Sequence, residues 1–143
     1  MKSLFVFLVF WGLAFAVSAQ SSSTYYNSSG SRQGTSQTSG NSTTYYNSGG
    51  SRQGTSQTIG NVTTYYDGSG VRQGTSRVDG NTTTYYDKSG VRQGTSQSST
   101  SGGITTTRYY DASGRFTGSA VTSGSSTKYY DASGRYTGER VTR

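Results

Sequence analysis

A pair of adjacent tyrosines recurs along this chain at a nearly fixed interval. The pairs begin at Tyr25, Tyr45, Tyr65, Tyr85, Tyr109 and Tyr129. Every spacing is 20 residues except the fourth, which is 24. A period of this size predicts a repeat architecture, in which each unit buries its surface only against its neighbours. We therefore expect six units of about 20 residues, each one supersecondary motif.

Each unit contains two segments that favour β-strands, separated by turns. In the third unit, Thr-Thr-Tyr-Tyr ends at Tyr66, and β-branched and aromatic residues of this kind suit a pleated, half-buried surface. A second segment runs from Val71 to about Val78. No stretch of the repeats shows helical periodicity. The predicted fold class is all-β: antiparallel β-hairpin repeats in a stacked solenoid or extended meander. The sequence does not decide whether the hairpins close into a ring.

The turn after each tyrosine pair has the form Asp-x-Ser-Gly in the later units. An acidic side chain caps a type I turn, and glycine suits the left-handed position that ends it. Asn27 and Asn47 fill the acidic position in the first two units, which favours capping over catalysis. The predicted turn residues are Asp67, Gly70, Asp87, Gly90, Asp111, Gly114, Asp131 and Gly134.

A hairpin with a bulge at this glycine predicts the residues that face each other across the strands. Tyr66 should lie opposite Arg72. In the last two units the same register pairs Tyr110 with Phe116, Tyr130 with Tyr136, Asp111 with Arg115, and Asp131 with Arg135. Aromatic pairs and opposite charges are favourable cross-strand neighbours. The second tyrosine of each pair thus shares a face with these partners, and the first points to the other face.

The first 19 residues differ from the rest of the chain. Lys2 is followed by an apolar run from Leu4 to Val17, and small residues end at Ala19. This order predicts a signal peptide over residues 1–19. A retained membrane anchor is the alternative, but the run is shorter than the roughly 20 residues a spanning helix needs. We expect a secreted, periplasmic or cell-surface protein with no transmembrane segment after cleavage.

The repeats divide into two groups. Residues 20–97 hold units one to four, which share Arg-Gln-Gly-Thr-Ser after the turn. Residues 105–143 hold units five and six, which share Gly-Arg-Phe/Tyr-Thr-Gly. Residues 98–104, rich in Ser and Gly, lengthen the connection between the groups by four residues, and we expect a flexible linker there.

Composition excludes several chemistries. The chain has no His and no Cys, so zinc sites, cysteine nucleophiles and Ser-His-Asp triads cannot form from its residues. Six acidic residues, most of them at turn positions, give no convincing carboxylate pair. We therefore predict a protein that is not an enzyme, with no catalytic residues, no metal site and no cofactor.

The mature chain is basic. Removal of Lys2 with the leader leaves twelve basic and six acidic residues, a net charge of +6. Such a charge favours envelope polysaccharide or another anionic surface, although it also serves solubility. No basic block indicates a specific nucleic-acid site. The candidate contact residues are one tyrosine from each pair and a row of equivalent arginines: Tyr25, Tyr45, Tyr65, Tyr85, Tyr109, Tyr129, Arg32, Arg52, Arg72 and Arg92.

The pattern Tyr-Tyr-Asp-x-Ser-Gly-x-x-x-Gly, with Gly70 and Gly74 or Gly114 and Gly118, resembles the cell-wall-binding repeats of choline- and glucan-binding proteins. That resemblance implies stacked β-hairpins whose aromatic residues line ligand sites. The regularly placed Gln33, Gln37 and Asn41 also resemble curlin-type amyloid repeats, which implies ladders of stacked amides.

Three functional hypotheses follow. The first is a non-enzymatic structural or adhesive protein of the cell envelope that binds carbohydrate or another anionic surface. The second is a self-assembling, amyloid-like extracellular fibre subunit, since nearly identical strands with open edges favour end-to-end pairing. The third is a largely disordered secreted chain, because the mature sequence holds little apolar material besides tyrosine.

Overall fold

The computed structural model describes residues 20–143, which form a closed barrel of twelve antiparallel strands. Each strand pairs with the strands next to it in the chain, and the first pairs with the last. The strands are β1 (Ser21–Asn27), β2 (Arg32–Ser39), β3 (Ser42–Asn47), β4 (Arg52–Ile59), β5 (Val62–Asp67), β6 (Arg72–Asp79), β7 (Thr82–Asp87), β8 (Arg92–Ser101), β9 (Ile104–Asp111), β10 (Phe116–Ser123), β11 (Ser126–Asp131) and β12 (Tyr136–Thr142).

The all-β hairpin fold is therefore confirmed. The predicted signal peptide, residues 1–19, lies outside the described residues. Within 20–143, no helix has the length and apolar character to cross a membrane.

The turn within each unit has the predicted geometry. In the third unit, the Gly70 amide donates to the Asp67 carbonyl at 3.0 Å, and the Asp67 amide donates to the Val71 carbonyl at 2.9 Å. Gly70 has φ of 87°, a left-handed conformation that glycine adopts without the steric cost of a Cβ. The turn is a type I turn closed by a glycine bulge, as the Asp-x-Ser-Gly pattern predicts.

The turns between units are tighter. Ser39 pairs with Ser42 across a two-residue turn whose first member, Gly40, has φ of 57°. Glycine at this position is typical of a type II′ turn, whose twist matches that of the flanking strands. Because the two kinds of turn alternate, all six four-residue turns lie at one end of the barrel, here called the long-turn end. The two-residue turns lie at the short-turn end with Gln20 and Arg143.

The strands form the predicted meander, but the meander closes on itself, so the predicted stacked solenoid is wrong and the ring that the sequence left undecided is formed. Within each hairpin the register shifts by one residue beside the second tyrosine, as between Tyr65 and Tyr66, which leaves Gln73 as an extra residue. Bulges bend and twist a sheet, and the same bulge in all six hairpins adds the same curvature each time. The closing pair sets Tyr25 opposite Arg140 as β3 and β2 set Tyr45 opposite Ser36, so the seam repeats the internal register.

The long connection between units four and five is part of the sheet. Residues 98–104 were expected to be a flexible linker, but Ser98–Ser101 extend β8 and Ile104 begins β9. Gly102 and Gly103 form the turn between them. Four more residues thus add two cross-strand pairs to this one hairpin, and all six units belong to one continuous sheet.

The barrel interior is filled mainly by the first tyrosine of each pair. Residues 20–143 contain no second layer, so only the inside of the barrel buries side chains there. Tyr25, Tyr45, Tyr85 and Tyr109 are between 7% and 9% exposed. Each first tyrosine lies opposite a glycine, as Tyr25 lies opposite Gly34. On the other side of β2, a Cβ on Gly34 would collide with the carbonyl oxygen of Tyr46 in β3, so the close approach of β2 and β3 requires glycine.

Hydroxyl pairs complete the core. The Tyr85 hydroxyl lies 3.0 Å from Ser96 Oγ, and either group can donate the hydrogen bond. Tyr25, Tyr45 and Tyr65 form the equivalent pairs with Ser36, Ser56 and Ser76. Nearer the short-turn end, Thr38 and Thr43 hydroxyls pair at 2.9 Å, and this arrangement recurs around the barrel. Because buried hydroxyls cost free energy when unpaired, the pairing lets a polar interior pack.

Candidate functional site

The second tyrosine of each pair lies on the outside of the barrel, close to the long-turn end. These half-buried residues are Tyr26, Tyr46, Tyr66, Tyr86, Tyr110 and Tyr130. Tyr66 pairs with Arg72 across the hairpin, so the predicted register is confirmed. The equivalent pairs in the other early units are Tyr26 with Arg32, Tyr46 with Arg52 and Tyr86 with Arg92. We call the six second tyrosines and the four arginines the outer ring.

The four arginines of the outer ring are exposed and hold no carboxylate. Among residues 20–143, the ion pairs within 4.0 Å join Arg115 to Asp111 and Arg135 to Asp131. Arg32 instead donates to the Ser48 carbonyl at 2.8 Å, and Arg92 donates to the Ala112 carbonyl at 3.1 Å. Each of these two guanidinium groups therefore leans over the turn of the next unit. The remaining donors of these cations face solvent, where an anion can reach them.

The last two units interrupt the row of arginines. Phe116 and Tyr136 take the arginine position, and each packs edge-to-face on its outer tyrosine with ring centroids 6.0 and 6.1 Å apart. In addition, Glu139 pairs with Tyr26 across the closing seam and adds a negative charge there. The positive part of the outer ring is consequently strongest over units two to four.

The turn carboxylates are occupied by their own turns. Asp67 Oδ1 accepts hydrogen bonds from the Val71 and Ser69 amides and from Ser69 Oγ, at 2.9 to 3.0 Å. The bond from the Val71 amide does most to hold the pKa of Asp67 below its ordinary value. Asn27 Oδ1 accepts the same set of bonds in the first unit. These residues shape the loops of the long-turn end, as the sequence predicts.

The first tyrosines do not form an exposed contact face, contrary to the expectation from the sequence. Tyr25, Tyr45, Tyr65, Tyr85, Tyr109 and Tyr129 point into the barrel. Burial raises the pKa of Tyr85 to about 12 and raises the pKa of Tyr45, Tyr65, Tyr109 and Tyr129 as well. The six rings support the barrel wall that carries the outer ring, and in units one to four the tyrosine hydroxyl also pairs with a serine.

Sequence reasoning assigned the two members of each pair to opposite faces but took the first tyrosine, which is the inner one, as the exposed member. The register already contained the signal. Tyr66 shares a face with Arg72, and a row of like-charged arginines is far too costly to bury. The side that carries the arginines therefore had to be the outside, with Tyr66 on it and Tyr65 within.

One charged side chain inside the barrel was not anticipated from the sequence. Arg140 occupies the interior position that serine holds in units one to four, and it lies opposite Tyr25 and Thr127. Alignment of the six repeats reveals the exception at Arg140. The same repeat position holds serine in units one to four and alanine in unit five: Ser36, Ser56, Ser76, Ser96 and Ala120.

The described residues offer no group of three or more Asp, Glu, His or Cys side chains placed to hold a metal ion. Comparison of the chain with models of protein families, and with curated proteins, gave no match.

Proposed function

We propose that this protein is a non-enzymatic, exported binding protein of the cell envelope, whose outer ring attaches to acidic polysaccharide. The observation that carries the proposal is the row of four exposed arginines, none of which holds a carboxylate, each beside an outer tyrosine. Export rests on the leader-like residues 1–19.

The two residue types suit the two parts of an acidic sugar. The planar guanidinium of Arg72 binds carboxylate or sulfate oxygens through two parallel hydrogen bonds. The ring of Tyr66 beside it offers an apolar face and a hydroxyl, which together match a sugar ring. The hydrogen-bonded turns hold the backbone next to these side chains, so little backbone ordering is required when a polymer binds.

Repetition around the barrel adds avidity. A polysaccharide presents the same charged group at regular intervals, and the outer ring presents the same Tyr–Arg pair in consecutive hairpins. Once one pair has bound, the next binds in an intramolecular step at high effective concentration. Several weak ion pairs, each favourable by about 0.2 to 1 kcal/mol at an exposed site, together then hold the polymer.

The test compares two double variants of the mature chain that lose the same charge. Arg72→Ser with Arg92→Ser removes two arginines of the outer ring. Arg115→Ser with Arg135→Ser removes two arginines that already pair with Asp111 and Asp131. Retention is measured on immobilised acidic polysaccharide and on a neutral polymer. We expect about tenfold weaker binding for the first variant, equal to about 1.4 kcal/mol, and a much smaller change for the second.

Tyrosine variants complete the experiment. Tyr66→Ala with Tyr86→Ala should weaken binding by a similar factor, while far-ultraviolet circular dichroism checks that the barrel remains folded. Affinity should also fall as the salt concentration rises, because the attraction between exposed charges decays over about 8 Å at physiological ionic strength and over shorter distances at higher salt. Equal loss in both arginine variants, or unchanged binding in the tyrosine variant, would contradict a specific outer-ring site.

A self-assembling fibre is the second candidate, and the strand pairing argues against it. β1 and β12 pair with each other, so no strand among residues 20–143 presents a free edge to another copy. Concentration-dependent thioflavin binding by the mature chain would favour the fibre, and a stable monomer at high concentration would favour the binding protein.

A further inference from the structure

The inside of the barrel carries a positive charge that the proposed outer-ring function does not use. Arg140 lies on β12, and its register partners Tyr25 and Thr127 both point inward. Its side chain therefore enters the barrel, where Nη2 lies 3.4 Å from Thr127 Oγ1. Burial raises the pKa values of Tyr45, Tyr109 and Tyr129, and the positive charge of Arg140 partly opposes that rise. The charge therefore lies near tyrosines of several hairpins.

The Arg140 cation has no acidic partner among the described residues. Both carboxylate ion pairs of residues 20–143 lie at the long turns and involve other arginines. The Nε atom of Arg140 is buried and has no hydrogen-bond partner within the described part of the chain. A buried donor without an acceptor, on a side chain that is always charged, is expensive to retain. A ligand that accepts from Nε would remove that cost.

The surroundings suit a small anion better than a water molecule alone. The register partners of Arg140 on both neighbouring strands, Tyr25 and Thr127, carry hydroxyls, which donate hydrogen bonds as readily as they accept them. Burial raises the pKa of the Tyr109 and Tyr129 phenols, so these interior groups add no negative charge that would compete with an anion. A guanidinium edge that offers Nε–H and Nη–H in parallel fits two oxygens of one carboxylate or phosphate.

We propose that the barrel interior is a binding site for a small oxyanion, a carboxylate or a phosphate, held by Arg140 and the tyrosine and threonine hydroxyls around it. The unit-to-unit comparison supports a specific role. Four units place serine at this position, the fifth places Ala120, and the sixth alone places a cation. This site is inside the wall, whereas the outer ring is on its other face, so the two proposals stand or fall separately.

The experiment uses the mature chain and two probes, inorganic phosphate and acetate, each titrated at constant ionic strength. Binding is followed by the melting temperature and by the Nε–Hε signal of Arg140 in nitrogen-15 NMR spectra. We expect a saturable shift of both readouts for the wild type, because a ligand that binds the folded state stabilises it by mass action. A response to one probe only identifies which oxyanion the site accepts.

Arg140→Ser supplies the decisive variant, because serine is the residue of the other units and is compatible with the barrel. It should raise the melting temperature in the absence of the probe, since the unpartnered cation is gone, and it should lose the response to the probe. Arg140→Lys keeps the charge but not the fork, and should bind at least about tenfold more weakly. Arg72→Ser with Arg92→Ser, which alters only the outer ring, should leave the interior response unchanged.

Two results would overturn the proposal. One is a wild type whose melting temperature and Nε–Hε signal show no saturable change with either phosphate or acetate. The other is an Arg140→Ser variant that is stabilised by the probe as much as the wild type is, which would identify a general salt effect. Neither result bears on binding of acidic polysaccharide by the outer ring.

Discussion

The two tyrosines of each pair are neighbours in the chain, yet they occupy different environments. Tyr85 is 7% exposed inside the barrel and shares a hydrogen bond with Ser96, whereas Tyr86 lies half-buried on the outer wall beside Arg92. Both belong to β7 and have the same intrinsic preference for strand structure. Any difference between variants at these two positions therefore reports the environment and not the residue type.

The comparison shows that two adjacent residues of one strand take different structural roles because successive side chains point to opposite faces. Side chains along a strand point alternately to opposite faces, so a doubled tyrosine always delivers one ring to each side. The first tyrosine of each pair fills the barrel, and the second lies on the outer face, where solvent reaches it. The same motif thus supplies both the support and the surface, six times over.

The largest contrast is expected on truncation. Tyr85→Ala should cost about 3 to 5 kcal/mol of unfolding free energy, as for other large aromatic side chains removed from a core. Tyr86→Ala, on the half-buried face, should cost about 1 kcal/mol. Denaturant unfolding followed by circular dichroism measures both values. Equal losses would mean that the two faces are not distinguished by burial.

Alkaline pH should act through the inner tyrosines. In the folded barrel, burial raises the pKa values of five of them, that of Tyr85 to about 12 and those of Tyr45, Tyr65, Tyr109 and Tyr129 as well. The unfolded chain therefore loses these phenol protons first, near pH 10. The stabilisation is therefore complete below pH 10 and is lost as the pH rises toward the folded pKa. For Tyr85 alone the loss is about 2 to 3 kcal/mol.

Absorbance at 295 nm, recorded together with circular dichroism, checks this expectation. A group of phenols should remain protonated above pH 10 and should ionise only as the β-sheet signal disappears. Complete ionisation while the sheet signal persists would contradict the placement of the first tyrosines inside.

Removal of a single hydroxyl sharpens the comparison. Tyr85→Phe keeps the ring but takes from Ser96, which is 3% exposed, the hydroxyl it pairs with. The expected cost is about 1 to 3 kcal/mol, the penalty for a buried polar group that loses its partner. Tyr86→Phe should change stability by less than about 0.5 kcal/mol. Thermal unfolding of the two variants measures the difference, and a neutral Tyr85→Phe would show that the hydroxyl pair contributes nothing.

The smallest difference in stability is expected between two variants of the outer face. Phe116→Ala removes one partner of the edge-to-face pair with Tyr110 and should cost about 0.5 to 1.5 kcal/mol. Arg92→Ala, at the equivalent position of the fourth unit, should cost less than about 1 kcal/mol, because its contacts are solvated. A larger loss for Arg92 than for Phe116 would reverse the order of these two outer pairs.

Local chemistry made much of this structure predictable. The Asp-x-Ser-Gly turns, the bulged register and the facing pairs Tyr66–Arg72 and Tyr110–Phe116 are all present as expected. These features depend on residues within one hairpin, and a turn type fixes the pairing of the strands it joins. The prediction for residues 98–104 failed to anticipate a strand. The strand character of Ser98–Ser101 comes from pairing with Ile104–Thr107 of β9, and the Ser/Gly-rich composition of the segment itself does not reveal that pairing.

The sequence by itself determined six hairpins, their turns and which residues face each other, since each of these is settled by contacts a few residues apart. The tertiary structure alone decided that the sheet closes, because closure depends on the sum of curvature over all six units and on the seam between β1 and β12. Closure made the face that carries Tyr25 and its equivalents the inside, left the arginine row on the outside of units one to four, and turned the Arg140 side chain inward. No single hairpin has an inside; only the complete barrel creates one.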